Sequence, residues 1–423
     1  MRRDARVVGV LTLTWALSPG LARADEPPKP DLVFVADPKL GMEGGIRTSL
    51  SLGLIVSRYE ELLPRIVHLE SPAADHAIGV FGRLLQEVFI DDPLASVETT
   101  FIHEVYGHGA RARELGQDAS YEFALPEPYA AMFSPGTPFL GITETNSNTG
   151  VRDRDIVIVE AGLEANNFTT RWINLQLVAM DGWVKTSDLD VYIDSKLPYL
   201  QTFLSRGIGH GIGGGDDVIA YVNDLQDRTN RWTASDRTAI AGRLQTAYAW
   251  NYVDPTLYFA VYGLLVDRLY LGKEYSRVPL PSAGGVTFYP ATRFNLSPFG
   301  AEHYLDVFLK RKHLVADVYG RIGSSGLASY TGGGVQLDGI EPRRGLRFGA
   351  SADVWSQPEL FLSQRNVYAP PQQAGVSAGL YASARVYESL SLTVKLACKT
   401  SGYLMGQPVD GGPYGYLGFS INE

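Results

Sequence analysis

The spacing of apolar residues changes part-way along this chain, and no single layer of secondary structure accommodates both patterns. Between Pro64 and Leu271 the spacing is mainly helical, with stretches at 73–88 and 235–251 opened by capping residues. Beyond residue 280 the period becomes two. Leu346, Phe348, Ala350, Ala352 and Val354 alternate with polar or small residues, as do Val376, Ala378, Leu380, Ala382, Ala384 and Val386, and the alternation returns over 390–398. Turns such as Glu388-Ser389 and the glycine-bearing break Gly323-Ser324-Ser325-Gly326 would join such runs as antiparallel hairpins. The reading is an α+β protein, with a mainly helical domain over 25–280 and an antiparallel β domain over 281–423.

Two environments produce strands of this kind. One is a soluble sandwich or barrel, with the apolar rows packed against a second layer; the other is an outer-membrane barrel, with the same rows facing lipid. The 23 tyrosines suit an interfacial girdle, whereas the terminal Asn422-Glu423 lacks the aromatic residue such barrels often place last. The pattern leaves both open. The apolar stretch 257–271 carries Asp267 and Arg268 and is short for a transmembrane helix, so it is predicted to be a buried core helix, with Asp254-Pro255 as cap and first turn.

At the N-terminus Arg2, Arg3 and Arg6 precede an apolar run over 7–17 and then Ala22-Arg23-Ala24, the order of a secretory signal peptide over residues 1–24. Export to the periplasm, outer membrane or medium is therefore expected. The single cysteine, Cys398, cannot close an intrachain disulfide. A net charge of −9 and a pI near 5.4, without clustered Lys and Arg, argue against a nucleic-acid partner.

The segment 92–116 is predicted to be one helix, capped by Asp92, begun by Pro93 and stopped by glycine, with Leu94, Val97, Phe101 and Val105 as its core stripe. It holds His103-Glu104-Val105-Tyr106-Gly107-His108, one residue longer than the His-Glu-x-x-His zinc helix. At about 100° per residue, histidines five apart stand roughly 140° apart around a regular helix and cannot share a metal. A single π-turn absorbs the extra residue and returns His108 to within about 40° of His103, with Gly107 easing the adjustment. Catalytic zinc takes three protein ligands and keeps an open position for water, beside which Glu104 can act as general base. A third ligand is expected from 155–180, where Glu160 and Glu164 share one helix face.

The motif His-Glu-x-x-Gly-His, followed about fifty positions later by an acidic motif, resembles the metal site of the dipeptidyl peptidase III family of zinc exopeptidases. That resemblance implies His103, His108 and Glu160 as zinc ligands and Glu164 as the carboxylate that orients a ligating histidine. Val159 stands where the family has a further glutamate, and the strand-rich tail has no counterpart, so the likeness is confined to the metal site.

The glycine-rich stretch 205–217 carries His210, which could donate a hydrogen bond to a tetrahedral oxyanion. It lacks the Lys and Ser/Thr of a phosphate-binding loop. His68, His76, His303 and His313 have no ligand-like spacing to an acid, and Tyr106 is read as packing. The resulting expectation is an exported zinc metallopeptidase acting on a peptide or protein substrate. The rival from another class is a non-catalytic envelope β-barrel with a structural metal.

Overall fold

The computed structural model describes residues 27–421, apart from 29, 38, 59–71, 135–139, 146–150, 205–215, 230–232, 325–328 and 364–369. The segment read as an export signal, the histidines His68 and His210, and Ser325-Gly326 of the glycine-bearing break lie outside the described residues.

The molecule is α+β, and its helices and strands build a common core. A first strand, β1 (Leu32–Ala36), precedes helix α1 (Met42–Val56). A continuous helical run follows: α2 (Pro72–Gln86), a π-turn at Glu87–Asp91, α3 (Asp92–Phe101), a second π-turn at Ile102–His108, and α4 (Gly109–Glu114). Asp92 is thus not a cap, and Pro93 sits inside the helix. Proline has no N–H for the carbonyl four residues back and crowds it. That carbonyl belongs to Phe89, in the first π-turn, and it accepts the Tyr129 hydroxyl instead. The run stops at Gly116 (φ +71°), where the Gly116 and Gln117 amides bond back to Arg113 and Ala112.

The hairpin β2 (Ala119–Phe123) and β3 (Gly141–Thr145) flanks the second π-turn, with the short helix α5 (Tyr129–Phe133) between its strands. Helices α6 (Arg152–Val159) and α7 (Ala161–Ala179) meet at Glu160. The strand β4 (Trp183–Lys185) pairs with β5 (Tyr275–Arg277). Between them lie α8 (Thr186–Lys196), α9 (Leu200–Leu204), α10 (Asp217–Thr229), α11 (Ala234–Tyr248) and α12 (Pro255–Tyr262), the last continued by a π-turn at Gly263–Tyr270. Thr233 and Asp236 form a capping box on α11, and Asp254 caps α12 through the Thr256 amide.

The short β6 (Ser282–Ala283) opens a meander of eight long strands: β7 (Val286–Ser297), β8 (Gly300–Arg311), β9 (Leu314–Ser324), β10 (Ser329–Arg343), β11 (Leu346–Pro358), β12 (Gln372–Arg385), β13 (Leu390–Lys399) and β14 (Gly412–Ile421). Consecutive strands pair antiparallel, and β1 joins beside β14 to complete a ten-stranded sheet. The two ends, β1 and β6, are not paired with each other.

Helix α7 lies against one face of this sheet and is buried along nearly its whole length. The inward row of the strands mixes core residues such as Tyr304, Phe308 and Val315 with buried ion pairs. Arg293 grips Asp306 through two hydrogen bonds of 2.8 and 2.6 Å, Arg171 of α7 reaches Asp317 at 2.6 Å, and Arg321 reaches Glu302 at 2.9 Å. The alternating apolar rows point the other way and are exposed.

Two burial expectations are corrected here. Leu94, Val97 and Phe101 are exposed, because the run turns Pro93, Ala95, Thr99 and Ile102 inward; only Val105 of the expected stripe is buried. The stretch 257–271 exposes Tyr258, Val261, Tyr262 and Leu265 while Asp267 and Arg268 are buried. Arg268 pairs with Asp91 and Glu87 of the long helical run, which explains charge on the inward side.

A buried charge left without its partner is far costlier than a well-packed apolar substitute for both. Arg293→Met is expected to destabilise the fold by about 3–5 kcal/mol in denaturant unfolding, and Arg293→Met/Asp306→Leu to recover most of that loss.

Candidate metal centre

The second π-turn brings the two histidines of the motif together, with ring centroids 4.8 Å apart. Their Nε2 atoms stand 3.2 Å from each other, and Asp217 Oδ2 lies 2.8 Å from that of His103 and 3.0 Å from that of His108. Ligands about 2.05 Å from a tetrahedral zinc would be roughly 3.3 Å apart, so this triangle is within a few tenths of an ångström of what a metal requires. Among the described residues these three form the group of His, Asp and Glu side chains able to converge on an ion.

The third converging group is therefore Asp217, not Glu160. Asp217 is the first residue of α10, and Asp216 before it caps that helix by accepting the Ile219 amide at 3.0 Å. With the cap supplied by Asp216, the Asp217 carboxylate is left to face the histidines. Glu160 is fully buried at the α6–α7 junction, with neither carboxylate oxygen hydrogen-bonded in good geometry. Burial, and then the neighbouring Glu164, push its pKa well above the usual carboxylate range, which disfavours the charged form a metal ligand needs. Glu164 does not orient a histidine either. Arg111 of α4 holds it through Nε at 3.0 Å and a second guanidinium contact, and the Gly406 amide donates to it at 2.7 Å.

The histidines are oriented by other groups. His108 Nδ1 donates to the Ile158 carbonyl at 2.6 Å, which fixes the tautomer whose Nε2 lone pair faces Asp217 and His103. His103 Nδ1 is 3.2 Å from the Asn166 amide on α7. The Asn166 Oδ1 atom is buried without a partner, and a half-turn of that amide places it on Nδ1–H, the arrangement a ligating His103 needs.

Glycine makes this convergence sterically possible. A Cβ on Gly107 would stand 2.6 Å from the Ala161 carbonyl oxygen and 2.7 Å from the Gly162 Cα, so the π-turn and α7 cross at backbone distance. A Cβ on Gly162 would stand 2.3 Å from His103 Nε2. Gly107 itself serves close approach rather than backbone freedom, since the turn is helical throughout.

Glu104 is buried beside β3. Thr143 Oγ1 donates to its Oε2 at 2.6 Å and to its carbonyl at 3.1 Å, and Gly141 lets the strand lie against the Glu104 side chain. Tyr199 completes the site: its hydroxyl donates to Asp217 Oδ2 at 2.6 Å and lies 3.4 Å from His103 Nε2. It does so from a left-handed backbone (φ +55°), which costs a non-glycine residue on the order of 1–3 kcal/mol and gathers at functional sites.

Sequence reasoning missed Asp217, Asn166, Tyr199 and Thr143. Asp216-Asp217 at the end of a glycine-rich stretch reads as an ordinary helix start, and nothing in the spacing tells the capping acid from the one that reaches the histidines. Of the other described histidines, His76 packs edge-on against Tyr270, and His303 against Trp250. No known protein family, curated protein or solved structure matches this chain.

Burial opposes charge on His108, but Asp217, helped by Glu104 and the Ile158 carbonyl, outweighs it and pushes the pKa up to about 9. Burial would raise Asp217, yet the two imidazoles hold it well below the usual carboxylate range. In the metal-free protein this pairing stabilises the fold in full below the ordinary histidine pKa of about 6.5 and is lost as pH rises through about 9. Metal requires neutral imidazole and must displace that proton. Apparent zinc affinity, measured by competition with a chromophoric chelator, is therefore expected to rise about tenfold per pH unit and to level off above pH 9. Asn166→Ala, which removes the His103 orienting group, is expected to weaken zinc binding by roughly 10–100-fold in the same assay.

Proposed function

We propose that this protein is a zinc-dependent hydrolase that cleaves peptide bonds. The observation that carries the reading is the convergence of His103, His108 and Asp217, with the His108 tautomer set by the Ile158 carbonyl, next to the buried carboxylate of Glu104. Three protein ligands of this kind leave a coordination position open, as catalytic zinc sites do and structural sites do not. Zinc held by them would acidify a water and polarise a substrate carbonyl.

Glu104 is the general base in this scheme. It takes a proton from the attacking water and returns it to the leaving amine nitrogen, while Thr143 fixes its carboxylate through Oε2. On turning from Asp217 Oδ2, the Tyr199 hydroxyl, beside His103, can donate to the oxyanion that develops on the substrate carbonyl. The choice of a peptide rests on β3. It pairs with β2 alone among the described residues and runs alongside Glu104, so its other edge can take an extended polypeptide as an added strand.

Wild-type protein is expected to carry about one zinc per chain by elemental analysis, and Asp217→Ala to lose most of it. Glu104→Gln should keep the metal and lower turnover of a mixed peptide library by roughly 10²–10⁴. Unchanged hydrolysis in Glu104→Gln would remove the catalytic role, and four protein ligands on the metal would favour a structural site.

A further inference from the structure

We infer that the exposed outer face of the sheet, together with the long helical run and α12, is seated in the hydrocarbon of a lipid bilayer, so that strands and helices jointly form the wall around an interior that holds the buried ion pairs. This goes beyond the hydrolase reading and does not depend on it.

The first observation is the inverted polarity of the sheet. The face against α7 carries Arg293, Asp306, Asp317, Arg321 and Glu302, all buried. Its other face is covered by α9 and α11 where Phe294, Leu296 and Ala301 pack against them, and beyond that end carries Leu380 at 70 % exposure, Leu396 at 68 %, Ile322 at 64 % and Val354 at 60 %. One ladder across that face runs Val307, Val318, Val335, Ala352, Ala378 and Cys398, each opposite the next. From β8 to β14 the outward row contains no Asp, Glu, Lys or Arg between its terminal residues. Soluble proteins rarely leave apolar surface of this extent uncovered, and water-facing sheets alternate in the opposite sense.

The second observation is that the belt continues onto the helices. Residues 78–101 of the long run expose Ile78, Phe81, Leu84, Leu85, Val88, Ile90, Leu94, Val97 and Phe101, with Asp92 the one exposed charge on that stripe. At 1.5 Å per residue the stripe is about 35 Å long, close to the roughly 30 Å hydrocarbon thickness. Strands β8 to β14, of 10 to 15 residues, also meet the length a tilted spanning strand needs. No described helix is long and apolar enough to cross a membrane alone, which leaves crossing by a composite wall open.

The third observation concerns the sheet ends, because lipid tolerates no unpaired backbone and an unclosed sheet would present two rows of it. Here helices supply the missing partners. On the free side of β1, the Val33 amide bonds to Ser51 Oγ at 2.7 Å and the Val35 amide to Thr48 Oγ1 at 2.9 Å, while Ser51 donates back to the Val33 carbonyl. On the far side of β7, Lys196 of α8 donates to the Thr292 carbonyl, and Asp254, the α12 cap, lies 3.5 Å from the Thr292 amide. Side chains of α1 and α8 and the α12 cap thus pair backbone groups of Val33, Val35 and Thr292 at the two ends.

The test places nitroxide labels on the full chain in phosphatidylcholine vesicles, using Leu380→Cys or Val354→Cys in a Cys398→Ser background, with Arg243→Cys on α11 as the aqueous reference. Collision of the label with oxygen is expected to exceed collision with a water-soluble nickel chelate at 380 and 354, and the order to reverse at 243. Leu380→Arg/Leu396→Arg is expected to cut the fraction floating with vesicles at least tenfold without loss of far-ultraviolet dichroism. Nickel-dominated collision at 380 would overturn the proposal, as would a detergent-free monomer that does not float. Dipolar broadening between labels at 380 would put a second copy of the chain on this face and equally overturn it.

Discussion

Helix α7 is buried on all sides and yet carries Glu164, Asn166, Thr170, Arg171 and Asn174. Every such group needs a partner that is not bulk water, since an unpaired buried polar atom costs about 1–3 kcal/mol and an unpaired charge more. The surroundings answer residue by residue. Asp317 of β9 meets Arg171, Arg111 of α4 meets Glu164, the Asn167 carbonyl meets Thr170, and Tyr192 of α8 and Thr256 of α12 meet Asn174. Arg171 thus holds Asp317 on the inner row of the sheet, among core residues such as Tyr304 and Phe308, and with the strand period fixed at two Val318 and Ile322 beside it face outward.

The same helix sets the site. Its first residues cross the π-turn at Gly107 and Gly162, close enough that neither position has room for a side chain, and Asn166 one turn later reaches His103. The α6–α7 junction supplies the Ile158 carbonyl for His108. Asp217, Tyr199 and Thr143 come from elsewhere, and the first two are tied to each other by the Tyr199 hydroxyl. Pre-positioning of this sort keeps three ligand atoms within 3.2 Å of one another.

What could be read from the sequence was local. The π-turn followed from one residue too many between His103 and His108, because only that distortion returns them to one face. The strands after residue 280 followed from their alternation, and the cap Asp254 from residue type. What failed was everything that depends on which side of an element meets the interior. Periodicity separates two faces without saying which is wet, so Leu94, Val97 and Phe101 were assigned to a core they do not enter. Choosing Glu160 failed for a related reason. Spacing shows that Glu160 and Glu164 share a side of their helix but not that Arg111 is already there to take one of them. Asp217 is more than a hundred positions from His108, and no local signal bridges that distance.

The long helical run joins two surfaces of opposite character, and the second π-turn is what separates them. In a regular helix at about 100° per residue, His108 would point within roughly 20° of Phe101, which lies on the exposed apolar stripe. Absorbing one residue rotates everything after the turn by about one residue's angle, so His108 swings to the side of His103 and Asp217. The apolar stripe ends where the face that meets Asp217 begins. A straight helix could carry either the outward stripe or this histidine pair, and the extra residue in His-Glu-Val-Tyr-Gly-His lets one helix carry both in succession.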